Sequence, residues 1–252
     1  MIVFIIPLKS KAVSKDWPLT SSLLRQTLNS ISTQSVSEFR AIVVCHDLPD
    51  FEIDGFNFVE LIQVDLPVPD NDSASQMRKD KEQKLEIGLN RALEIGCSHM
   101  MKLDADDLIH RDLAEYILKS PADVNVVNRG IIWKRGTTWY QADNHTFHRI
   151  CGSSSIFRST VFRVKENDSD SDPPGQELFT SDNHEAVYEI SEKMGLEVAN
   201  PPFPAVCYCL SADSRLSEMY HPDHKESLRA LIGRLRRMRL LTQQTRTMFA
   251  LK

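Results

Sequence analysis

Four short apolar runs, separated by polar segments, organise the first half of the chain. They predict buried strands, because an unbroken apolar run is typical of a parallel strand that is covered on both faces. The runs occupy residues 2–8, 39–45, 58–64 and 98–103. Two longer segments with apolar positions three or four residues apart predict helices over residues 18–31 and 76–95, and Gly96 is placed to end the second one.

This alternation of strands and helices predicts an α/β fold with a mostly parallel, Rossmann-type central sheet and helices on both faces. In such sheets, ligands bind beyond the carboxyl ends of the strands. Three polar residues follow predicted strand ends, namely Lys9, Asp47 and Asp104. We therefore expect them to lie along one edge of the sheet, where a ligand site forms.

The second half of the chain is less regular. Helix-like patterns cover residues 108–118 and 183–194, and residues 166–177 have the composition of a mobile acidic loop. Short apolar runs predict further strands at residues 124–127, 131–133 and 205–210, and residues 151–155 predict a loop of small residues. The 252 residues fit one large domain over 1–220 with a basic helical extension over 221–252.

Three carboxylates follow the fourth predicted strand, at Asp104, Asp106 and Asp107. Like charges this close repel one another, and burying them without a partner is costly. A hard divalent cation such as Mg²⁺ or Mn²⁺ would remove that cost, and such an ion takes its remaining ligands from water and substrate phosphates. The cluster therefore indicates a nucleotide diphosphate held through a metal, although Asp107 by itself also fits an ordinary helix N-cap.

Charge is unevenly distributed along the chain. The formal net charge is −5, yet residues 221–252 hold eight Lys or Arg against two Asp or Glu, which leaves −11 for the rest. An acidic body argues against a nucleic-acid-binding surface. The basic segment has two interpretations: it lies on an anionic membrane surface near a lipid-linked acceptor, or it packs on the acidic body or on another copy of the chain.

Five cysteines, an odd number, stand in mostly apolar contexts without a Cys-x-x-Cys pair. Cys207 and Cys209 are two apart in a predicted strand, so both side chains point to one face. Buried free thiols are the simplest interpretation, and they favour a reducing cytoplasm. We therefore expect a cytoplasmic protein, placed at the inner face of the membrane if the basic segment binds lipid.

Four segments together resemble the family 2-type glycosyltransferases of the GT-A fold, with a looser likeness to rhamnosyltransferase-type members. The first strand ends in Pro7, as in that family, and residues 23–35 are similar to its first helix. The second strand ends in Asp47, and residues 103–107 resemble the family's metal-binding Asp-x-Asp element. The resemblance covers residues 1–120, and it implies that this part is the nucleotide-binding half of the domain.

The resemblance also implies which side chains bind the donor. Pro7, Leu8 and Lys9 would line the nucleotide pocket, and Asp47 would accept a hydrogen bond from the base. Among the basic side chains, Lys9, Arg78 or Lys84 would stabilise the leaving diphosphate.

Asp104 would approach the ribose or the metal, and Asp106 would ligate the metal, which is Mn²⁺ or Mg²⁺. Residues 121–220 would form the acceptor half. There, Gly152 and Ser153 would lie near the acceptor and the sugar, because small residues allow a ligand to approach closely.

The general base is expected where the chain matches the start of the family's late helix, in residues 180–185. An acidic residue deprotonates the acceptor hydroxyl there in inverting members, and Asp182 is the predicted base. His184 has three interpretations: a third metal ligand, an alternative base, or a residue of the helix start. Glu185 fits a first-turn carboxylate that is favoured by the helix dipole.

The expected activity is metal-dependent, inverting transfer of a hexosyl or deoxyhexosyl group from a UDP-, dTDP- or GDP-linked donor. The acceptor hydroxyl would belong to a glycan, a lipid-linked molecule or a protein. A non-catalytic nucleotide-sugar-binding protein remains an alternative, with the binding half intact and no working base. A sugar-phosphate nucleotidyltransferase is a weaker one, because its phosphate loop is Gly-rich and residues 9–13 contain no glycine.

Overall fold

The computed structural model describes residues 1–71, 73–162, 174–180, 184–210 and 228–251. The strands in these ranges are β1 (Ile2–Pro7), β2 (Phe39–Cys45), β3 (Val59–Gln63), β4 (His99–Lys102), β5 (Leu108–Ile109), β6 (Val124–Val126), β7 (Gly130–Lys134), β8 (Trp139–Asp143), β9 (Ser155–Arg158), β10 (Val198–Ala199), β11 (Val206–Leu210) and β12 (Met238–Leu240). The helices are α1 (Trp17–Ser32), α2 (Ala74–Glu94), α3 (Leu113–Lys119), α4 (Pro174–Thr180), α5 (Val187–Lys193), α6 (Leu228–Arg237) and α7 (Gln243–Met248).

Seven of the described strands form the central sheet, in the order β10-β6-β9-β4-β1-β2-β3. β1 lies between β4 and β2 and runs parallel to both, and β3 continues in the same direction. β9 runs antiparallel to its two neighbours, β4 and β6. The predicted α/β sheet is confirmed, but it is mixed, because the chain enters β9 from the carboxyl end of β4 without a crossover helix.

Alternate side chains of β1 enter two different cores. Ile2, Phe4 and Ile6 pack on the side of the sheet that α1 and α3 cover. Val3 and Ile5 pack on the opposite side, which α2, α4 and α5 cover. The helices therefore lie on both faces, as the unbroken apolar runs predict.

Local signals set the ends of the two long helices. Asp16 caps α1, because its carboxylate accepts a hydrogen bond from the Leu19 N–H at 2.9 Å. α2 ends just before Gly96, whose φ of 72° lies in the left-handed region that favours glycine. Inside α2, a Cβ at Gly88 would overlap the side chain of Ile5. Glycine at this position therefore lets α2 lie close against β1.

Five further strands form a second sheet among the described residues, in the order β12-β8-β7-β11-β5. It carries a third apolar core that contains Leu108, Trp133 and Phe249. Cys207 and Cys209 point into this core with their sulfur atoms 3.8 Å apart, as their spacing predicts. All five cysteines are buried free thiols.

Two helix predictions are wrong. Residues 108–118 do not form one helix: Leu108–Ile109 pairs with β11, and α3 begins only at Leu113. The basic extension is likewise broken, because α6 stops at Arg237 and the next three residues pair with β8. In both places, pairing with a distant strand overrides a local helical pattern.

The acidic loop predicted over residues 166–177 lies largely outside the described residues. No helix in the described part of the chain is long and apolar enough to cross a membrane.

Candidate functional site

Three adjoining cavities open at the carboxyl ends of β1 and β4, and Asp104 lines all three. The first, of about 400 Å³, lies between the end of β1 and α2. The second, of about 230 Å³, lies between β1 and α1 and also contacts Asp106. The third, of about 500 Å³, lies between α2 and the segment before β9. Pro7, Leu8 and Lys9 line both of the first two cavities, as predicted for neighbours along one edge of the sheet.

Asp104 is paired with a lysine from α2. Lys81 Nζ lies 2.8 Å from Asp104 Oδ1, and each side chain keeps about 30% of its surface exposed, 29% and 30% respectively. Burial works to raise the pKa of Asp104, but Lys81 opposes it, followed by Lys102 and His184, and the pKa is lowered overall. Asp104 is therefore held as a carboxylate at the junction of the cavities.

The pKa of Asp106 is shifted in the opposite direction, upward. Burial, followed by the charge of Asp104, raises its pKa to about 6, and Lys81 and Arg135 act against this rise. The charge of Asp104 thus disfavours the ionised form of Asp106, with which it shares the wall of the second cavity. A cation placed between them would relieve this repulsion.

Asp107 faces the protein interior. Its Oδ2 accepts hydrogen bonds from the Ser153 hydroxyl at 2.6 Å and from the Cys151 thiol at 3.3 Å. Burial, followed by the charges of Asp106 and Asp104, raises its pKa well above the ordinary value. Asp107 is therefore a buried anchor beneath the site and not an exposed helix cap.

Ser153 is a correction to the predicted acceptor contacts. Its side chain is fully buried, and its Oγ accepts a hydrogen bond from the Asp104 N–H at 2.9 Å. The hydroxyl is thus used inside the protein, to tie Asp104 to Asp107. Gly152, in contrast, lines the third cavity, and a Cβ there would lie 3.1 Å from Asp104 Oδ2.

Lys84 lies at the base of the first cavity. This side chain is only 1% exposed, and its Nζ donates to the Leu8 carbonyl at 2.8 Å and to Asp80 at 2.7 Å. Burial lowers the pKa of Lys84, and the partner Asp80 opposes that effect. The other oxygen of Asp80 pairs with His46 Nε2 at 2.8 Å. Lys84 therefore supports the end of β1, and it also lines the first cavity, so its predicted contact with a diphosphate stays a prediction.

Asp47 follows β2 as predicted, but it is not among the residues that line the three cavities described here. Its Oδ2 accepts a hydrogen bond from the Lys11 N–H at 2.7 Å, which ties together the loops after β1 and β2. Its contact with a nucleobase stays a prediction.

The predicted base Asp182 lies outside the described residues, so its role stays a prediction. His184 and Glu185 form a short 3₁₀ turn at the start of α5 and line the third cavity, opposite Asp104 and Gly152. The predicted helix over 183–194 is confirmed from 184 onward, as this turn followed by α5.

The described residues do not contain a preformed cage for a metal: within them, no group of three His, Cys, Asp or Glu side chains is arranged to hold one. The chemistry of Asp104 and Asp106 nevertheless fits Mg²⁺ or Mn²⁺. Such an ion binds through one or two carboxylates and completes its shell with water and phosphate oxygens. Asp104 and Asp106 both line the second cavity, so an ion bound there would meet both carboxylates.

Sequence reasoning missed several side chains of the site. Lys81 pairs with Asp104, and Arg149 and Tyr208 line the third cavity. Lys81 could have been identified from the sequence, because it stands four residues after Met77 and three before Lys84 and so lies on the same face of α2 as both. Tyr208 lies in β11 and Arg149 in a short 3₁₀ turn over Phe147–Arg149, and no local sequence pattern shows that either side chain reaches the cavity.

The architecture matches solved structures of a larger protein. A structure of S. aureus TarS residues 1–349 in complex with UDP aligns with a TM-score of 0.52 at 14% identity, over 83% of this chain and 60% of that chain. Another structure of S. aureus TarS aligns with a TM-score of 0.52 at 12% identity, over 89% of this chain and 40% of that one. The chain thus spans 60% or less of these proteins. Neither a protein-family model nor a curated protein matches the sequence.

At this level of identity the comparison defines the fold. The protein has a GT-A-like α/β fold, with a mixed central sheet between two layers of helices.

Proposed function

We propose that the protein is a glycosyltransferase that moves a sugar from a nucleotide-diphosphate-sugar donor to a hydroxyl acceptor. One observation carries the proposal: Asp104 stands where three cavities meet, at the carboxyl edge of a GT-A-like sheet. Open α/β sheets bind their ligands at this edge. TarS, which shares the fold, has UDP bound in one of its structures.

The first two cavities suit the donor. Pro7 and Leu8 give them an apolar wall, while Lys9 and Lys81 bring positive charge. A volume of about 400 Å³ for the larger one lies within the usual range for small-molecule sites. UDP, dTDP and GDP sugars are the donors that we propose, with a hexosyl or deoxyhexosyl group transferred.

Asp104 and Asp106 would hold Mn²⁺ or Mg²⁺. When bound, the ion would stabilise the charge that develops on the departing diphosphate. Lys81 already lies beside Asp104 and adds positive charge at the same place. The buried Asp107–Ser153 pair beneath them keeps the Asp104 backbone in position.

The third cavity suits the acceptor. Gly152 leaves space directly beside Asp104, and His184 faces it from the start of α5. A base beside the acceptor would remove the proton of its hydroxyl as the hydroxyl attacks the sugar from the side opposite the departing diphosphate, which gives inversion. We propose Asp182, two positions before His184 in the sequence, as this base. His184 would then be a neighbouring contact that positions the acceptor.

The binding half of the proposal can be tested by thermal unfolding in the presence of UDP, dTDP or GDP, each with and without Mn²⁺. We expect at least one nucleotide to raise the unfolding temperature, and to do so more strongly with the metal. Asp106→Asn should abolish the metal-dependent part. The matched control is Asp54→Asn, since Asp54 is exposed in a loop away from the cavities. If no nucleotide stabilises the protein under any condition, the proposal is wrong.

The catalytic half needs a turnover measurement, because a binding protein would pass the first test. We expect slow, Mn²⁺-dependent release of nucleoside diphosphate from the donor that binds. Asp182→Asn should lower the rate of transfer to an acceptor about 100-fold or more, the usual contribution of a general base. His184→Gln should have a smaller effect. Tight donor binding without any turnover would instead identify a non-catalytic nucleotide-sugar-binding protein.

A further inference from the structure

Helix α6 and strand β12, here called the α6–β12 segment (Leu228–Leu240), expose apolar side chains at an unusual density. Seven large hydrophobic side chains are exposed among the described residues, and three of them lie in this short segment. Ile232 is 43% exposed, Leu235 is 55% exposed and Leu240 is 75% exposed. Single exposed apolar residues need no explanation, but a cluster marks an interaction surface.

The helical part of the segment is amphipathic. Ile232 and Leu235 are three residues apart, so they lie on one side of α6. Arg237 lies on the other side of the helix, and Arg236 lies at the boundary between the two. The exposed Arg239 continues the basic surface into β12. Ile232 and Leu235 thus form an apolar stripe on α6 that has arginines on both sides.

The apolar stripe stays exposed to solvent, although the segment that carries it is attached to the domain. β12 pairs with β8, which fixes the segment to the edge of the second sheet. Even so, Ile232 and Leu235 keep about half of their surface in solvent. Packing on the acidic body, one of the two interpretations open from the sequence, therefore holds for β12 and the buried Phe249 but not for the exposed Ile232 and Leu235.

The net charge of residues 228–252 indicates which kind of partner the apolar stripe binds. Residues 228–252 contain seven Lys or Arg and no Asp or Glu, although the whole chain has a net charge of −5. Arginines beside an apolar stripe suit the boundary between anionic headgroups and acyl chains, because their stems lie along apolar surface while their charged ends reach the headgroups. A second copy is a poorer partner, since a two-fold contact would bring the same arginines together.

We infer that the α6–β12 segment docks the protein on an anionic lipid surface. Ile232, Leu235 and Leu240 enter the headgroup region, and the arginines bind the lipid phosphates. This inference does not depend on the proposed transfer reaction, because it concerns a different part of the molecule. It concerns where the protein is located, whereas the proposed function concerns the reaction that it catalyses.

Co-sedimentation with vesicles tests the inference on the full chain. Vesicles of phosphatidylcholine alone should not bind the protein, whereas mixed vesicles of phosphatidylcholine and phosphatidylglycerol should. Binding should weaken as salt is added, because part of it is electrostatic. Absence of binding to the mixed vesicles at low salt would overturn the inference.

Two pairs of variants show whether the segment is responsible. Leu235→Ser should weaken binding to the mixed vesicles about tenfold, since it removes apolar area from the contact. Leu48→Ser is its matched control, because Leu48 is equally exposed, at 55%, in another part of the molecule. Arg237→Gln should weaken binding about fivefold. Arg40→Gln, at an exposed position on β2, should leave binding unchanged.

The remaining outcomes decide between lipid and protein partners. Thermal unfolding of each variant confirms that it is folded before vesicle binding is compared. If Leu235→Ser leaves vesicle binding intact, the stripe is not the docking surface. If it instead converts a dimer into a monomer in analytical ultracentrifugation, the stripe covers another copy of the chain, and the inference is wrong.

Discussion

Ser153 shows how a single hydroxyl can hold a site together. It accepts a hydrogen bond from the Asp104 N–H and donates one to Asp107, so it joins an exposed carboxylate to a buried one. Ser153→Ala would leave the Asp104 N–H without this partner and Asp107 with the Cys151 thiol as its one remaining side-chain donor among the described residues. We expect the free energy of unfolding to fall by about 2–3 kcal/mol, measured by urea denaturation.

The adjacent Ser154 is a matched control for this substitution. It is as deeply buried as Ser153, but its hydroxyl has no hydrogen-bond partner among the residues that the structure describes. Ser154→Ala therefore removes no hydrogen bond, and we expect the free energy of unfolding to change by less than about 1 kcal/mol. Equal losses for the two variants would contradict the role given to Ser153.

His99, at the start of β4, makes stability depend on pH. Burial, followed by the charges of the nearby Arg158 and of the N-terminus, lowers its pKa from 6.5 to about 4. The unfolded chain therefore takes up a proton between pH 6.5 and pH 4 that the folded protein does not. The contribution of His99 to stability is fully present above pH 6.5 and is lost as the pH falls through this window, by about 3 kcal/mol.

The measurement is a series of urea denaturation curves over that range. His99→Gln removes the titrating group, so its unfolding free energy should fall less steeply with decreasing pH than that of the parent protein. His110 and His148, whose pKa values are also lowered by burial, leave part of the slope in place. An unchanged slope in the variant would show that His99 is not the group responsible.

Helix α2 approaches β1 so closely that only glycine fits at one position. Replacing glycine by alanine inside a helix normally stabilises it by about 1 kcal/mol. At Gly88 the added methyl group would overlap Ile5, and overpacking of this kind costs about 1–3 kcal/mol. We expect Gly88→Ala to destabilise the protein by about 1 kcal/mol or more, measured by urea denaturation.

Gly233 in α6 is the control for this effect. Nothing lies within 4 Å of a Cβ built at that position. Gly233→Ala should therefore show the helix propensity alone and leave the protein equally or more stable. Destabilisation by both substitutions to the same extent would mean that the contact with Ile5 is not the cause.

Elements with a strong local pattern were predictable from the sequence. The unbroken apolar run of β2 was placed at its observed ends, Phe39 and Cys45. β5 and β12 were not, because two or three residues become a strand only when a distant strand pairs with them. The same reason applies in the site. Asp104 follows from a strand end, whereas its partner Lys81 depends on how α2 is rotated against the sheet.

At the scale of the whole molecule, the five cysteines report on global unfolding. All are buried free thiols, and burial raises the pKa of Cys45 and of Cys97 to about 11. A thiol-specific reagent at neutral pH should therefore label the native protein slowly and all five thiols rapidly in denaturant. Rapid labelling of any one cysteine in the native protein would mean that its core opens locally.

The antiparallel strand β9 has a consequence for how the molecule is made. It fills the gap between β4 and β6, so the edge of β4 stays unpaired on the ribosome until residue 158 has emerged. The hydrogen bond between the Asp104 N–H and Ser153 likewise forms only after Ser153, 49 positions later in the sequence, has been synthesised. A truncated chain that stops at residue 120 would display a bare apolar edge, which invites association with other nascent chains. The candidate site is thus completed late in synthesis.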